Sequence, residues 1–195
     1  MSFATFIVGL RLQGRSCLVV GSSAEAASRA RSLSEAGATV RVVGEKPCAE
    51  LRTLDEAGTV SLIDRGFEHA DLEGVWLAVY ADRDPLLAER IHELAETLGV
   101  FFCAVDQPAV SSYSHLGIAR AGALSVAVGT GGRAPALTRR VREELERVLS
   151  ESDLAAFVER LSELRERTPP AERARVLGAL AEQVRFEGRL ILPDI

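Results

Sequence analysis

Residues 16–43, SCLVVGSSAEAASRARSLSEAGATVRVV, decide the fold of this chain. The run reads as a buried strand, a tight turn, an amphipathic helix and a second buried strand. A βαβ unit of this kind opens dinucleotide-binding folds, where a pyrophosphate rests on the helix N-terminus. The expected G-x-G-x-x-G/A pattern stands here as Gly21-Ser22-Ser23-Ala24-Glu25-Ala26, with serine for the middle glycine. That glycine normally lets backbone approach pyrophosphate with no side chain between. The unit therefore points to a nucleotide architecture with an altered phosphate turn.

Working outward, apolar strands alternate with amphipathic helices to about residue 110, the pattern of a parallel sheet with helices on its faces. Strands are expected at Ser16–Val20, Thr39–Val43, Val60–Ile63, Val75–Tyr80 and Val100–Val105. Helices are expected at Ala24–Ala36, Ala49–Ala57 and Pro85–Leu98, the first and last stopping at Gly37 and Gly99. A strand at Leu124–Val128 follows, then the loop Gly129–Pro135. A helix begins near Pro135, with further helices at Leu154–Arg167 and Ala171–Phe186. The apolar stripes Phe157, Leu161, Leu164 and Val176, Leu180, Val184 need a covering surface, for which a homodimer partner is expected. The fold class is α/β: a Rossmann-like parallel sheet, 1–110, then a dimerisation and substrate segment, 111–150, and a helical segment, 151–195.

Composition narrows the function. The 195 residues are 47% hydrophobic and 26% charged, ordinary for a globular protein, and the net charge of −5 offers no basic face for nucleic acid. Cys17, Cys48 and Cys103 form no C-x-x-C pair, so neither a disulfide framework nor a thiolate zinc site is indicated. Cys17 and Cys103 read as buried, reduced thiols, and His69 and His92 as surface residues. No apolar run reaches the roughly 20 residues that span a bilayer. MSFATFIVGLRL lacks a basic n-region and a cleavage site, so a cytoplasmic protein is expected, with no membrane partner.

Four places carry candidate chemistry. In the turn Gly21–Glu25, the Ser22 and Ser23 hydroxyls are potential phosphate donors; the alternative is a plain strand-to-helix turn. After the second strand, Glu45 suits ribose hydroxyls and Lys46 a 2′-phosphate, which leaves NAD against NADP open. Asp106 follows a strand at the expected ligand edge, either as a proton-transferring carboxylate or as an Asp turn before Pro108. In the Gly129–Pro135 loop, glycines and Arg133 at a helix start, with Arg139 and Arg140 near, suit a polyanion. His115 lies between the last two places in sequence and is the one imidazole positioned to join them, as a metal ligand or as a lone side chain.

These places in this order resemble the siroheme-synthase family of precorrin-2 dehydrogenases and sirohydrochlorin ferrochelatases. The resemblance runs through Leu12-Gln13-Gly14-Arg15, Glu35-Ala36-Gly37-Ala38, Gly66-Phe67-Glu68 and Asp71–Leu77. It continues through Val105-Asp106, Gly122-Ala123-Leu124 and Thr130-Gly131-Gly132-Arg133-Ala134-Pro135. It implies NAD-dependent oxidation of precorrin-2 to sirohydrochlorin, in many members insertion of ferrous iron as a substrate, and a homodimer. It also implies Asp106 as the catalytic carboxylate, and cofactor contacts from Gly21, Ser22, Ser23, Ala24, Glu25, Glu45, Lys46, Ala81 and Asp82. Substrate contacts would come from Thr130, Gly131, Gly132 and Arg133.

The sequence departs from the family where the cofactor is expected. Gly21-Ser22-Ser23 stands for a triple glycine, Glu25 for an apolar residue, and Ser28-Arg29 for Arg-Lys. Ala81-Asp82-Arg83-Asp84 stands for Ala-Thr-Asp-Asp, Cys103 for asparagine, and Gly129 for serine. Tyr113-Ser114-His115-Leu116 stands for Phe-x-x-Pro. Two alternatives follow: a relative that acts only as a chelatase, and a non-catalytic tetrapyrrole- or nucleotide-binding protein.

Overall fold

The computed structural model describes residues 6–187. The ends of the expected 1–110 and 151–195 segments, residues 1–5 and 188–195, lie outside the described residues. The chain divides into two compact units, Met1–His115 and Leu116–Ile195, so that residues 111–115 lie in the first unit and 116–150 in the second.

In the first unit the strands are β1 (Ser16–Val20), β2 (Thr39–Val43), β3 (Ser61–Ile63), β4 (Leu77–Tyr80) and β5 (Phe101–Ala104). They form one parallel sheet in the order β3-β2-β1-β4-β5. Cys17, Leu18, Val19, Ala78, Val79 and Phe102 are wholly buried, which is why these strands read as continuous apolar runs and not as alternating ones. The helices α1 (Ala24–Glu35), α2 (Ala49–Glu56) and α3 (Pro85–Leu98) join them. One core sets Val19, Val42 and Val79 against Ala26, Ala30 and Leu51. The other sets Leu18, Ala78, Tyr80 and Phe102 against Ala88, Ile91 and Ala95. The two registers come from the strands' period of 2, which sends alternate side chains to opposite sheet faces.

Local chemistry fixes the ends of these elements. Asp84 caps α3 by accepting from the Leu86 and Leu87 amides, Pro85 occupies its first turn, and Gly99 ends it at φ 68°. The exposed edge of β5 is closed by the serines that follow it. Phe102 N donates to Ser112 Oγ at 2.9 Å and Ala104 N to Ser111 Oγ at 3.0 Å, so hydroxyls substitute for a sixth strand. Buried Asp71 is gripped by Arg65 through two 2.8 Å hydrogen bonds and accepts from Glu68 N. Burial opposes its ionisation, but Arg65, the Glu68 amide and Arg41 outweigh it and hold the carboxyl below the usual range.

In the second unit the strand expected at Leu124–Val128 is present as β7, paired antiparallel with β6 (Gly117–Ala121), a strand that the apolar pattern did not announce. Gly122 at φ 56° opens their two-residue turn, the arrangement of a II′ hairpin. Helices α4 (Pro135–Ser150), α5 (Leu154–Arg167) and α6 (Arg173–Ala181) follow, with α6 ending well before the expected Phe186. Its buried core is small, Ala119, Ala121 and Leu149, and Phe157, Leu161, Leu164, Val176 and Leu180 remain half-buried.

Candidate functional site

The carboxyl ends of β1 and β4 form the switch point of the sheet: the chain leaves β1 toward β2 on one side, and β4 and β5 lie on the other. Ligands of doubly wound folds bind in the crevice made there. Gly21 N donates to Val43 O, Ala81 N to Val20 O and Val105 N to Tyr80 O, each at 2.9 Å, so the four neighbouring ends of β2, β1, β4 and β5 are tied together. The sheet thereby brings Gly21–Glu25, Glu45, Lys46, Ala81, Asp82 and Asp106 to one edge.

The turn keeps its first glycine for a geometric reason. Gly21 has φ 146°, and a Cβ there would stand 3.1 Å from Asp82 Oδ1. A Cβ on Gly44 would meet Gly21 O at 2.4 Å, so Gly44 is a second obligatory glycine, one that the sequence reading did not single out. Ser23, in place of the second glycine, caps α1: its Oγ accepts from Ala26 N at 3.4 Å and donates to Ala81 O at 3.5 Å. Its hydroxyl thus reaches the protein through two long contacts. Amides at the start of a helix lack intrahelical partners and with the macrodipole favour an anion. Asp82 Oδ1 already accepts from Ser22 N, over a long 3.5 Å. Glu25, half-buried in the first turn, pairs with Arg29 at 2.6 Å, which offsets a negative charge beside the cradle.

Glu45 and Lys46 are exposed after β2. Lys46 has φ 53°, and its amide donates to Asp64 Oδ1 at 2.8 Å, an anchor for an unfavourable backbone. Asp106 is also left-handed, at φ 60°. It sits at the third position of the turn closed by Gln107 N donating to Ala104 O at 3.1 Å. Glycine or asparagine is the usual occupant there, and aspartate is tolerated. Asp106 is exposed: it is a turn residue, as one of the two sequence readings had it, and the turn carries its carboxylate just past β5.

His115 packs edge-on against Tyr113, with ring centres 5.3 Å apart. Desolvation and Arg29 push its imidazole down to about 4, against the opposing charge of Glu25; its solvent-exposed face screens that effect. The described residues hold no group of three or more His, Cys, Asp or Glu that could hold a metal ion, so no such cluster includes His115, for which a metal-ligand role was one of two expectations. Tyr113 has a buried hydroxyl without a partner among the described residues, and its burial pushes its pKa up. Cys17 and Cys103 are free and buried, and burial raises the Cys17 thiol to about 11, so both are poor nucleophiles. His92 corrects its surface assignment. It is half-buried, tilted on Phe102, with Nδ1 enclosed, because the helical register of α3 turns it toward the sheet beside Ile91 and Ala95.

In the second unit, Gly131 at φ 60° and Gly132 at φ 77° form a turn closed by Arg133 N donating to Thr130 O at 3.2 Å. Thr130 Oγ1 accepts from Ala134 N at 3.0 Å and shares a hydrogen bond with Thr138, which fixes the loop at the start of α4. Arg133 is exposed on it. Arg139 and Arg140 differ from expectation: they face Glu143 and Glu144 along their own helix, so their charge is partly neutralised. A cavity of about 580 Å³ lies in this unit among Leu149, Leu154, Phe157, Leu180 and Val184, and no candidate residue lines it.

The parallel sheet, its switch point and the glycine turn define a doubly wound nucleotide-binding protein. Comparison with known proteins narrows the class. Residues 8–114 match the family model described as "Putative NAD(P)-binding", and residues 122–147 match "Sirohaem biosynthesis protein central". The chain belongs to the siroheme synthase N-terminal-type family. It is 41% identical over 135 residues to the siroheme synthase of Stutzerimonas stutzeri, covering 69% of this chain and 29% of that one. It is 32% identical over 184 residues to that of Citrobacter koseri, covering 94% and 39%. The chain thus spans well under half the length of these curated relatives. A solved structure titled "SirC, precorrin-2 dehydrogenase" shares the fold, with TM-score 0.73 over 92% of this chain and 90% of that one at 23% identity. No helix among the described residues is long and apolar enough to cross a membrane.

Proposed function

We propose that this chain is a cytoplasmic precorrin-2 dehydrogenase, oxidising precorrin-2 to sirohydrochlorin with NAD. The observation that carries the reading is the gathering of Gly21–Glu25, Glu45 and Asp106 at one sheet edge, in a chain of this family. The residues fit the cofactor. Gly21 and Gly44 leave bare backbone at the turn, and the start of α1 offers amides to the pyrophosphate. Glu45 and Lys46 lie where the adenosine ribose is held, with Ala81 and Asp82 bordering the turn. When bound, NAD supplies the hydride acceptor.

Oxidation removes a hydride and a proton from the tetrapyrrole. Asp106, exposed just past β5, is the base that takes the proton. Its left-handed turn is anchored by the Ala104–Gln107 hydrogen bond, so the carboxylate is held in place with no helix or strand to carry it. On the second unit, Thr130, Gly131, Gly132 and Arg133 supply amides and a guanidinium for the carboxylates of the substrate. A homodimer completes the half-covered second unit.

Insertion of ferrous iron, a substrate and not a resident metal, is a second reading. It is favoured by the altered phosphate turn beside an intact Asp106, because stripping pyrrole N–H protons needs the same base and no NAD. Two parallel assays on purified protein separate these readings: precorrin-2 with NAD⁺, and sirohydrochlorin with Fe²⁺, both anaerobic. Conversion in the first establishes the dehydrogenase. Conversion in the second alone assigns the chelatase, and conversion in neither leaves a binding protein.

A further inference from the structure

We infer that Asp82 is a built-in competitor for the phosphate cradle, its carboxylate lying on the turn amide that a pyrophosphate would use and so setting the affinity for pyrophosphate-bearing nucleotides. The inference rests on the cofactor reading above. Asp82 Oδ1 accepts from Ser22 N at 3.5 Å, and the same oxygen lies 3.1 Å from where a Cβ on Gly21 would stand. The strand pairing puts it there. Val20 lies opposite Tyr80 and Ala81 N donates to Val20 O, so the residue after Ala81 overhangs the turn that follows β1.

The charge balance gives this placement its consequence. Pyrophosphate and carboxylate are both anions that seek the same donors at a helix start. Two anions sharing one donor site repel each other, so a nucleotide has to turn Asp82 away before it seats. Glu25 does not compete in this way, because Arg29 holds it at 2.6 Å. Ser23 does not either, because its hydroxyl is engaged with Ala26 N and Ala81 O. Asp82 is therefore the specific element that separates this turn from an open one. Nearby Gly21 and Gly44 keep the backbone shape that pyrophosphate requires.

Binding of NAD⁺, ADP-ribose and adenosine to the full chain by calorimetry tests the inference, with wild type, Asp82→Asn and Asp82→Thr compared. Both variants are expected to bind NAD⁺ and ADP-ribose about tenfold more tightly, the scale of one charge-assisted hydrogen bond, with adenosine unchanged. Equal or weaker NAD⁺ binding by folded variants, beside a wild type that binds, overturns the competitor role and leaves the cofactor reading intact. An equal gain for adenosine overturns it too, since the effect would not lie at the phosphates. Failure of all three proteins to bind NAD⁺ and ADP-ribose removes the cofactor reading and this inference together. Melting curves of the variants show that each is folded.

Discussion

The two units of this chain bury their apolar residues very differently. The first carries two cores around a parallel sheet, with Leu18, Leu51, Ile91 and Phe102 almost wholly enclosed. The second encloses Ala119, Ala121 and Leu149, and leaves the stripes of α5 and α6 half-open. Burial contributes roughly 25 cal/mol per Å² of apolar surface, so the first unit supplies most of the driving force and the second leaves apolar surface open. The difference places a rigid edge for chemistry on the first unit and an unsaturated surface on the second.

Core truncation should show that contrast most strongly. Phe102→Ala is expected to cost about 3–5 kcal/mol and Leu149→Ala nearer 2 kcal/mol, read from urea unfolding. Equal costs would break the comparison. Next in size is Asp106→Asn. Asparagine accepts a left-handed backbone, so turnover should fall by at least about 100-fold while stability stays within about 0.5 kcal/mol. Parallel kinetics and denaturation would check it, and a variant that loses both would assign Asp106 to the fold alone.

Asp71→Asn should cost about 2 kcal/mol, below the value for a fully buried pair because Arg65 is partly solvated. Asp71 has a folded pKa below its unfolded one. Its contribution is therefore complete above the unfolded value near 4 and is lost as pH falls through the folded value. Wild type should accordingly lose stability below about pH 4 more steeply than Asp71→Asn, measured by thermal melts across acid pH. Ser23→Ala removes the α1 cap and should cost about 1 kcal/mol, read the same way. The smallest effect sharpens the comparison: if a second copy covers the second unit, its melting temperature should climb by roughly a few degrees with each tenfold rise in concentration. A concentration-independent melt would leave those stripes to another occupant.

Much of the fold was legible because buried parallel strands announce themselves as apolar runs, and Gly37, Gly99 and Pro85 mark helix ends. The strand β6 was not, since Gly117-Ile118-Ala119-Arg120-Ala121 is short and built of small residues. The signal that finds it is Gly122-Ala123, a two-residue turn before β7. At the site, Asp106 and the Gly21 turn were legible from their places after strands. The reach of Asp82 to Ser22 was not, because the contact joins residues 60 apart through strand pairing. Neither was the capping role that takes up the Ser23 hydroxyl, nor the need for Gly44, which only the approach of Gly21 O reveals.

The central claim is that the edge around Gly21 and Asp106 carries out an NAD-dependent oxidation. Its most direct measurement is anaerobic incubation of purified protein with precorrin-2 and NAD⁺, quantifying NADH and sirohydrochlorin together, beside Asp106→Asn. The account predicts the two products in equal amounts from wild type and almost none from the variant. Sirohydrochlorin formed without NADH, or unchanged yield from Asp106→Asn, would contradict it.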